Sequence, residues 1–159
     1  IEAQGLPKEE SFDTTVDLAV SAFIPETYVS NEYLKLNLYK RFALIESQAE
    51  YDELYDELLD RFGEPPLPVM NLLKVALLRA KAHKVYVTDV KQKGREVNLF
   101  LYENAKLDVS RIPAFLNRYR WELSFIKDGK PRFVFSPKRE IFGAVVELVD
   151  DMCESLLPQ

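Results

Sequence analysis

The spacing of apolar residues changes period near residue 84, and this change limits the folds open to the chain. Before it, apolar residues recur every three or four positions, as one face of a helix requires. After it they alternate, as they do along a strand. Leu34, Leu38, Phe42 and Ile45 share one helical face; Tyr51, Leu54, Leu58 and Phe62 share a second; Val69, Leu72, Leu73, Ala76, Leu77 and Ala80 share a third. Val85 and Val87, then Val97, Leu99 and Leu101, then Trp121, Leu123 and Phe125, then Phe133 and Phe135 alternate with polar or exposed positions. Helices grouped early and hairpins grouped late predict an α+β fold, an N-terminal helical group followed by antiparallel β-hairpins and a C-terminal helix. A doubly wound parallel sheet would interleave the two.

Punctuation supports the same division. Residues 1–14 read as a linker or flexible end, and 15–159 as a single domain that opens with a short strand at Val16–Val20. Asn31 or Ser30 caps a first helix running to about Ile45, and Ser47-Gln48-Ala49-Glu50 is a capping box for the second. Gly63 ends that helix in a left-handed conformation, and Pro65, Pro66 and Pro68 keep it from continuing. Lys91–Arg95 reads as a hairpin loop, and Ser110 as the cap of a short helix that tolerates Pro113 in its first turn. Ser136-Pro137 starts a last helix with Ile141, Val145, Leu148, Val149 and Met152 on its apolar face. An even-length Asp128-Gly129 turn would set Phe125 opposite Arg132 and turn the two apolar sets to opposite faces. An odd-length loop, such as Asp128–Lys130, or a bulge sets Phe125 opposite Phe133 and is expected instead.

Charge and chemistry exclude several function classes. The net charge of -5 argues against strong DNA binding by this domain alone. No apolar run reaches the roughly 20 residues of a membrane span, and the first ten residues have no signal-peptide pattern. A single cysteine, Cys153, cannot form an internal disulfide, which suits a reducing cytoplasm. With one histidine, His83, it cannot build a usual His/Cys zinc site. The five glycines are scattered and form no phosphate-binding loop. His83 lies in a Lys-rich helix end, and Cys153 lies among Asp150, Asp151 and Glu154, which oppose a thiolate. The expectation is a monomer with no catalytic residue, no cofactor and no metal site. A start at Ile1 rather than Met reads as a domain excised from a longer protein.

One charged pattern stands out. Glu53, Glu57, Asp60 and Glu64 recur at i, i+4, i+7 and i+11, an acidic stripe along the second helix. A solvated face is the ordinary explanation. However, the stripe runs towards the helix C-terminus, where the macrodipole disfavours carboxylates and a basic partner would offset the cost. Arg61 beside it is a residue type enriched at interfaces, while Phe62 reads as core. Glu53, Glu57, Asp60, Arg61 and Glu64 are therefore the candidate partner-interface residues. Lys35, Lys40 and Arg41 with Tyr39 read as the wet edge of the first helix, and Lys91, Lys93 and Arg95 as a lysine-rich loop.

Three ordered motifs carry a resemblance. Ile24-Pro25-x-x-Tyr28-Val29, Leu34-x-Leu36-x-Leu38-Tyr39-Lys40-Arg41, and the run from Glu57-Leu58-x-Asp60-Arg61-Phe62-Gly63 through Pro66-x-Pro68-Val69-x-Asn71-Leu72-Leu73 resemble the C-terminal domain of bacterial transcription-repair coupling factor. The match is strong over about residues 15–82, and from about 84 onward it is mainly one of pattern. The resemblance implies a regulatory, autoinhibitory domain of an ATP-driven DNA translocase, with ATP and Mg confined to a motor elsewhere in the parent protein. It implies docking on a UvrB-like N-terminal module of the same protein, hiding a surface for UvrA, with RNA polymerase an indirect partner. In that family, the acidic positions matching Glu57 and Asp60 face basic residues of the module. The alternative is a domain that binds nucleic acid or UvrA directly.

Overall fold

Asn31 begins the first helix: its side chain accepts from the Leu34 N–H at 2.9 Å and opens α1 (Glu32–Ala43). Ser47 opens α2 (Gln48–Phe62) in the same way, accepting from the Glu50 N–H at 3.2 Å. Glu50 reaches back to the Glu46 N–H rather than to that of Ser47, so the box closes one residue early. Pro66 precedes α3 (Leu67–Lys84), with Pro68 in its first turn, where no N–H is needed. The computed structural model describes residues 12–158.

These three helices and the 24–29 turn enclose one apolar cluster: Ile24, Val29, Leu38, Phe42, Ile45, Leu54, Leu58, Val69, Leu73 and Ala76. α3 is long enough, about 27 Å at 1.5 Å per residue, to serve a second cluster as well. Its later residues Leu78 and Ala82 pack with the sheet, with α4 (Ile112–Tyr119) and with α5 (Ile141–Ser155). α3 is thus the shared wall of two cores.

The sheet has five strands: β1 (Thr15–Asp17), β2 (Val87–Lys93), β3 (Glu96–Leu101), β4 (Leu123–Ile126) and β5 (Arg132–Phe135), in spatial order β1-β2-β3-β5-β4. β1 lies parallel to β2 at one edge, and the other pairings are antiparallel. Val90, Val97, Leu99, Leu123, Phe133 and Phe135 point into the core beneath α5. The opposite row, Asp89, Phe100, Arg132 and Ile126, lies on the outer face. The α+β reading holds, as a mixed rather than purely antiparallel sheet.

Phe125 pairs with Phe133, as the face argument required. The ladder ends at Ile126–Arg132 and leaves an odd five-residue connection, because the next position, Pro131, has no N–H to donate. Elsewhere the structure corrects the expected boundaries. Lys91–Lys93 belong to β2, so the first hairpin turns on Gly94-Arg95 alone, with Gly94 at φ 63°. Asp108, not Ser110, caps the short helical turn before α4, accepting from the Ser110 N–H at 3.2 Å. α5 starts at Ile141, not at Ser136-Pro137, because the Glu140 carboxylate accepts from the Phe142 and Gly143 N–H groups at 3.1 and 2.7 Å. Ile45 lies beyond the end of α1 but is buried all the same.

Trp121 departs furthest from expectation. It lies not in a strand but in a 3-10 turn, Arg120–Glu122, and is 88% exposed. At the other end of the chain, residues 1–11 of the expected linker lie outside the described residues. Phe12 stacks on Tyr102 at 4.6 Å and lies tilted against the His83 ring at 4.2 Å, and Thr14 donates to the Val87 carbonyl at 2.7 Å.

Candidate functional site: the charged end of the second helix

α2 is held by its apolar side, with Leu54 and Leu58 buried against α3 and the 24–29 turn. Its C-terminal end is fixed from outside the helix. The Tyr28 hydroxyl donates towards the Leu58 and Gly63 carbonyls, at 3.2 and 2.8 Å, satisfying acceptors that a helix end leaves open. Phe62 is half-buried against the Tyr28 ring, 5.8 Å away, and the Arg61 guanidinium lies over Phe62 at 4.9 Å. Gly63 turns the chain at φ 90°, ψ -173°, a region that is essentially glycine's alone. It is not the αL conformation expected, but it ends the helix for the same reason, the missing Cβ.

With that face buried, the acidic stripe turns outward. Glu53, Asp60 and Glu64 are exposed and make no salt bridge among the described residues. Glu57 differs. Arg41 on α1 donates to its Oε1 at 2.7 Å and Arg61, one turn along α2, to its Oε2 at 2.7 Å. The side chain is 32% exposed. The hydrogen bond from Arg41, then that from Arg61, holds the Glu57 carboxyl below the usual carboxylate range. Glu57 is therefore a tie between two helices as well as a member of the stripe.

The surface around it mixes charge with exposed apolar groups. Leu59, next to Asp60, and Leu67, three residues past Glu64, are exposed, and Leu44 lines a shallow cleft of about 160 Å³ with Arg41, Ile45, Glu53 and Leu54. Asp60 and Glu64 can accept from a basic partner while Arg41 and Arg61 stay clamped on Glu57. Arg41 was the missed residue: its helical spacing marks an exposed edge, and only the packing of α1 on α2 brings it to Glu57.

Among the described residues, no group of three or more His, Cys, Asp or Glu could hold a metal ion. His83 faces Thr14 and Phe12. Cys153 is half-buried, its thiol hydrogen-bonded to the Lys81 carbonyl, and burial pushes its pKa up, so it is a packed thiol. No helix among the described residues is long and apolar enough to cross a membrane.

The motif residues quoted above prove mainly architectural. Ile24 and Val29 are buried, Tyr28 caps α2, and Asn71 is buried with its amide donating to the Ser21 carbonyl at 2.9 Å. Comparison with known proteins agrees with them. The model of the TRCF domain family matches residues 18–112. The transcription-repair-coupling factor of Bacillus subtilis (strain 168) is 34% identical over 125 residues, 77% of this chain and 11% of its own length. That of Rickettsia prowazekii (strain Madrid E) is 29% identical over 149 residues, 94% of this chain and 13% of its own. The chain thus spans about a tenth of the length of these relatives. A crystal structure of the C-terminal domain of transcription-repair coupling factor superposes with a TM-score of 0.77 at 24% identity, covering 90% of this chain and 95% of that one.

Proposed function

This chain belongs to the transcription-repair-coupling factor family and has the fold of its C-terminal domain, and on that premise we propose that it is a non-catalytic, autoinhibitory docking domain. The reading is that it docks through the charged end of α2 on a basic surface of a UvrB-like module of the same cytoplasmic protein. Docking masks the surface that takes UvrA and restrains a DNA-translocating motor elsewhere in that protein. ATP and Mg serve the motor; this domain needs neither. RNA polymerase is reached only through the rest of the protein.

One observation carries the reading. Asp60 and Glu64 are exposed carboxylates without a salt-bridge partner among the described residues, placed beside a Glu57 that two guanidiniums hold in one geometry. Carboxylates at a helix C-terminus oppose the macrodipole and are eased by a basic partner. A preorganised charged surface also loses less entropy on docking than a mobile one.

Asp60→Lys in the full-length protein tests it. Basal ATP turnover and UvrA binding should both rise, because one docking event governs both. Loss of a desolvated charge pair costs about 2–5 kcal/mol, against at most about 1 kcal/mol at an exposed rim. If both readouts stay at wild-type levels while the variant domain remains folded, the docking proposal fails.

A further inference from the structure

We infer that the turn carrying Arg120 and Trp121 is a second docking site, for a protein segment that presents an apolar side chain beside carboxylates. It lies on elements remote in sequence from α2 and does not depend on the function proposed above.

Two unfavourable features coincide there. Trp121, the only tryptophan in the chain, is 88% exposed on its 3-10 turn. Arg120, directly before it, holds φ 53° and ψ -125°, where Cβ sterics disfavour any residue but glycine. Strained backbone beside a large exposed aromatic is a pointer to a working surface. Arg120 ends α4, its N–H reaching the Asn117 and Leu116 carbonyls, so the strain falls where the chain turns, but burial of the neighbouring Phe115 and Leu123 does not require the indole to be exposed.

The surroundings define the ligand chemistry. An open cleft of about 490 Å³ lies beside the indole, lined by Pro113, Leu116 and Asn117 of α4 together with Arg120 and Trp121. The acids on the far side of Trp121 are already engaged. Glu122 and Glu147 both contact Arg139, at 3.5 and 2.9 Å, and Asp151 accepts from the Tyr119 hydroxyl. The Arg120 side chain has no hydrogen-bond or salt-bridge partner among the described residues. Arg118 lies outside this cleft, over Phe115, and donates to the Ser155 hydroxyl. The segment from residue 104 to 139 carries nine Lys and Arg against three Asp and Glu, a net of +6 in a chain whose total is -5.

The apolar groups of Pro113 and Leu116, an indole wall and the Arg120 guanidinium fit a side chain such as Phe or Leu flanked by Asp or Glu. Trp and Arg are also the residues that most often anchor protein interfaces. A nucleic-acid strand fits less well. Its affinity comes from neutralising many phosphates, and one guanidinium lines this cleft.

Because Trp121 is the sole tryptophan, intrinsic tryptophan fluorescence of the chain reports this site alone. The free chain should emit as a water-exposed indole. Titration with the synthetic peptide Asp-Glu-Leu-Phe-Glu-Asp should give a saturable blue shift. A version with Lys for every acid, one with Ser for Leu and Phe, and oligothymidylate should each bind at least about tenfold more weakly. By calorimetry, Arg120→Gln should weaken the peptide about tenfold, a loss of one charge-assisted contact. Arg120→Gly should weaken it similarly while raising the melting temperature, because glycine relieves the backbone. No saturable shift at millimolar peptide overturns the proposal, as does equal binding of the Lys version or undiminished binding by Arg120→Gln. Tighter binding of oligothymidylate also overturns it and makes the turn a nucleic-acid surface.

Discussion

Arg41 and Glu57 lie 16 residues apart and on different helices, yet a guanidinium nitrogen of one sits 2.7 Å from a carboxylate oxygen of the other. Arg61 completes the clamp from the second oxygen. The bond ties α1 to α2 at the surface proposed for docking, so Glu57 serves the shape of that surface before it serves any partner. A charge reversal at Glu57 would set three cations together and disturb the domain itself, which makes Asp60 the cleaner probe.

Glu57→Gln should cost up to about 1 kcal/mol at pH 7, the upper end for a partly exposed ion pair. The Glu57 carboxyl is held below its unfolded value. Its stabilisation is therefore present above that unfolded value, about 4.3, and is lost as pH falls through the folded one. Urea unfolding should show the wild-type advantage at pH 7 and its disappearance in acid. An advantage that persists undiminished at pH 2 would mean the carboxylate charge is not its source.

Tyr119 should resist ionisation. Burial, then its hydrogen bond to Asp151, pushes the phenol well above its ordinary value. With the folded pKa raised, the contribution is full below the unfolded value of about 10 and is lost as pH rises through the folded one. The phenolate difference spectrum between wild type and Tyr119→Phe should show no titration near pH 10 in the folded chain. Tyr119→Phe should cost about 1–3 kcal/mol, since a half-buried carboxylate loses its donor. A normal titration of Tyr119 would disprove the bond.

Asn71→Leu should cost about 1–3 kcal/mol, although leucine suits a helix better. The buried amide is a donor to the Ser21 carbonyl, and an apolar replacement leaves that acceptor without it. Chemical denaturation measures the loss. A variant as stable as wild type would show that the 21–24 segment does not need this anchor.

Gly63→Ala should cost about 1–3 kcal/mol through backbone strain alone. Its φ of 90° and ψ of -173° suit only glycine, and a Cβ there would meet nothing within 4 Å. Melting of the variant checks this, with a helix end re-formed around αL geometry as the outcome that would contradict it.

The helices, their caps at Asn31 and Ser47, and the stop at Gly63 were legible from the residues alone, because each depends on neighbours within a few positions. So was the Phe125–Phe133 pairing, since alternation demands an odd-length connection and the shortest centred on Asp128–Lys130 sets these two rings opposite each other. The misread starts, Ser110 for Asp108 and Ser136 for Glu140, share one cause: several residues in each stretch can cap, and the chain path selects among them. Trp121 was misread because alternation marks a strand whether or not a partner lies within reach. The stripe of Glu53, Glu57, Asp60 and Glu64 follows from helical spacing. Which of its carboxylates is bound and which stays open does not, because that depended on α1 crossing α2 and delivering Arg41 from outside the helix. Local sequence thus determined the elements and the faces they present. Only tertiary packing decided which charges on those faces neutralise one another, since ion pairing depends on distances between elements that periodicity does not encode.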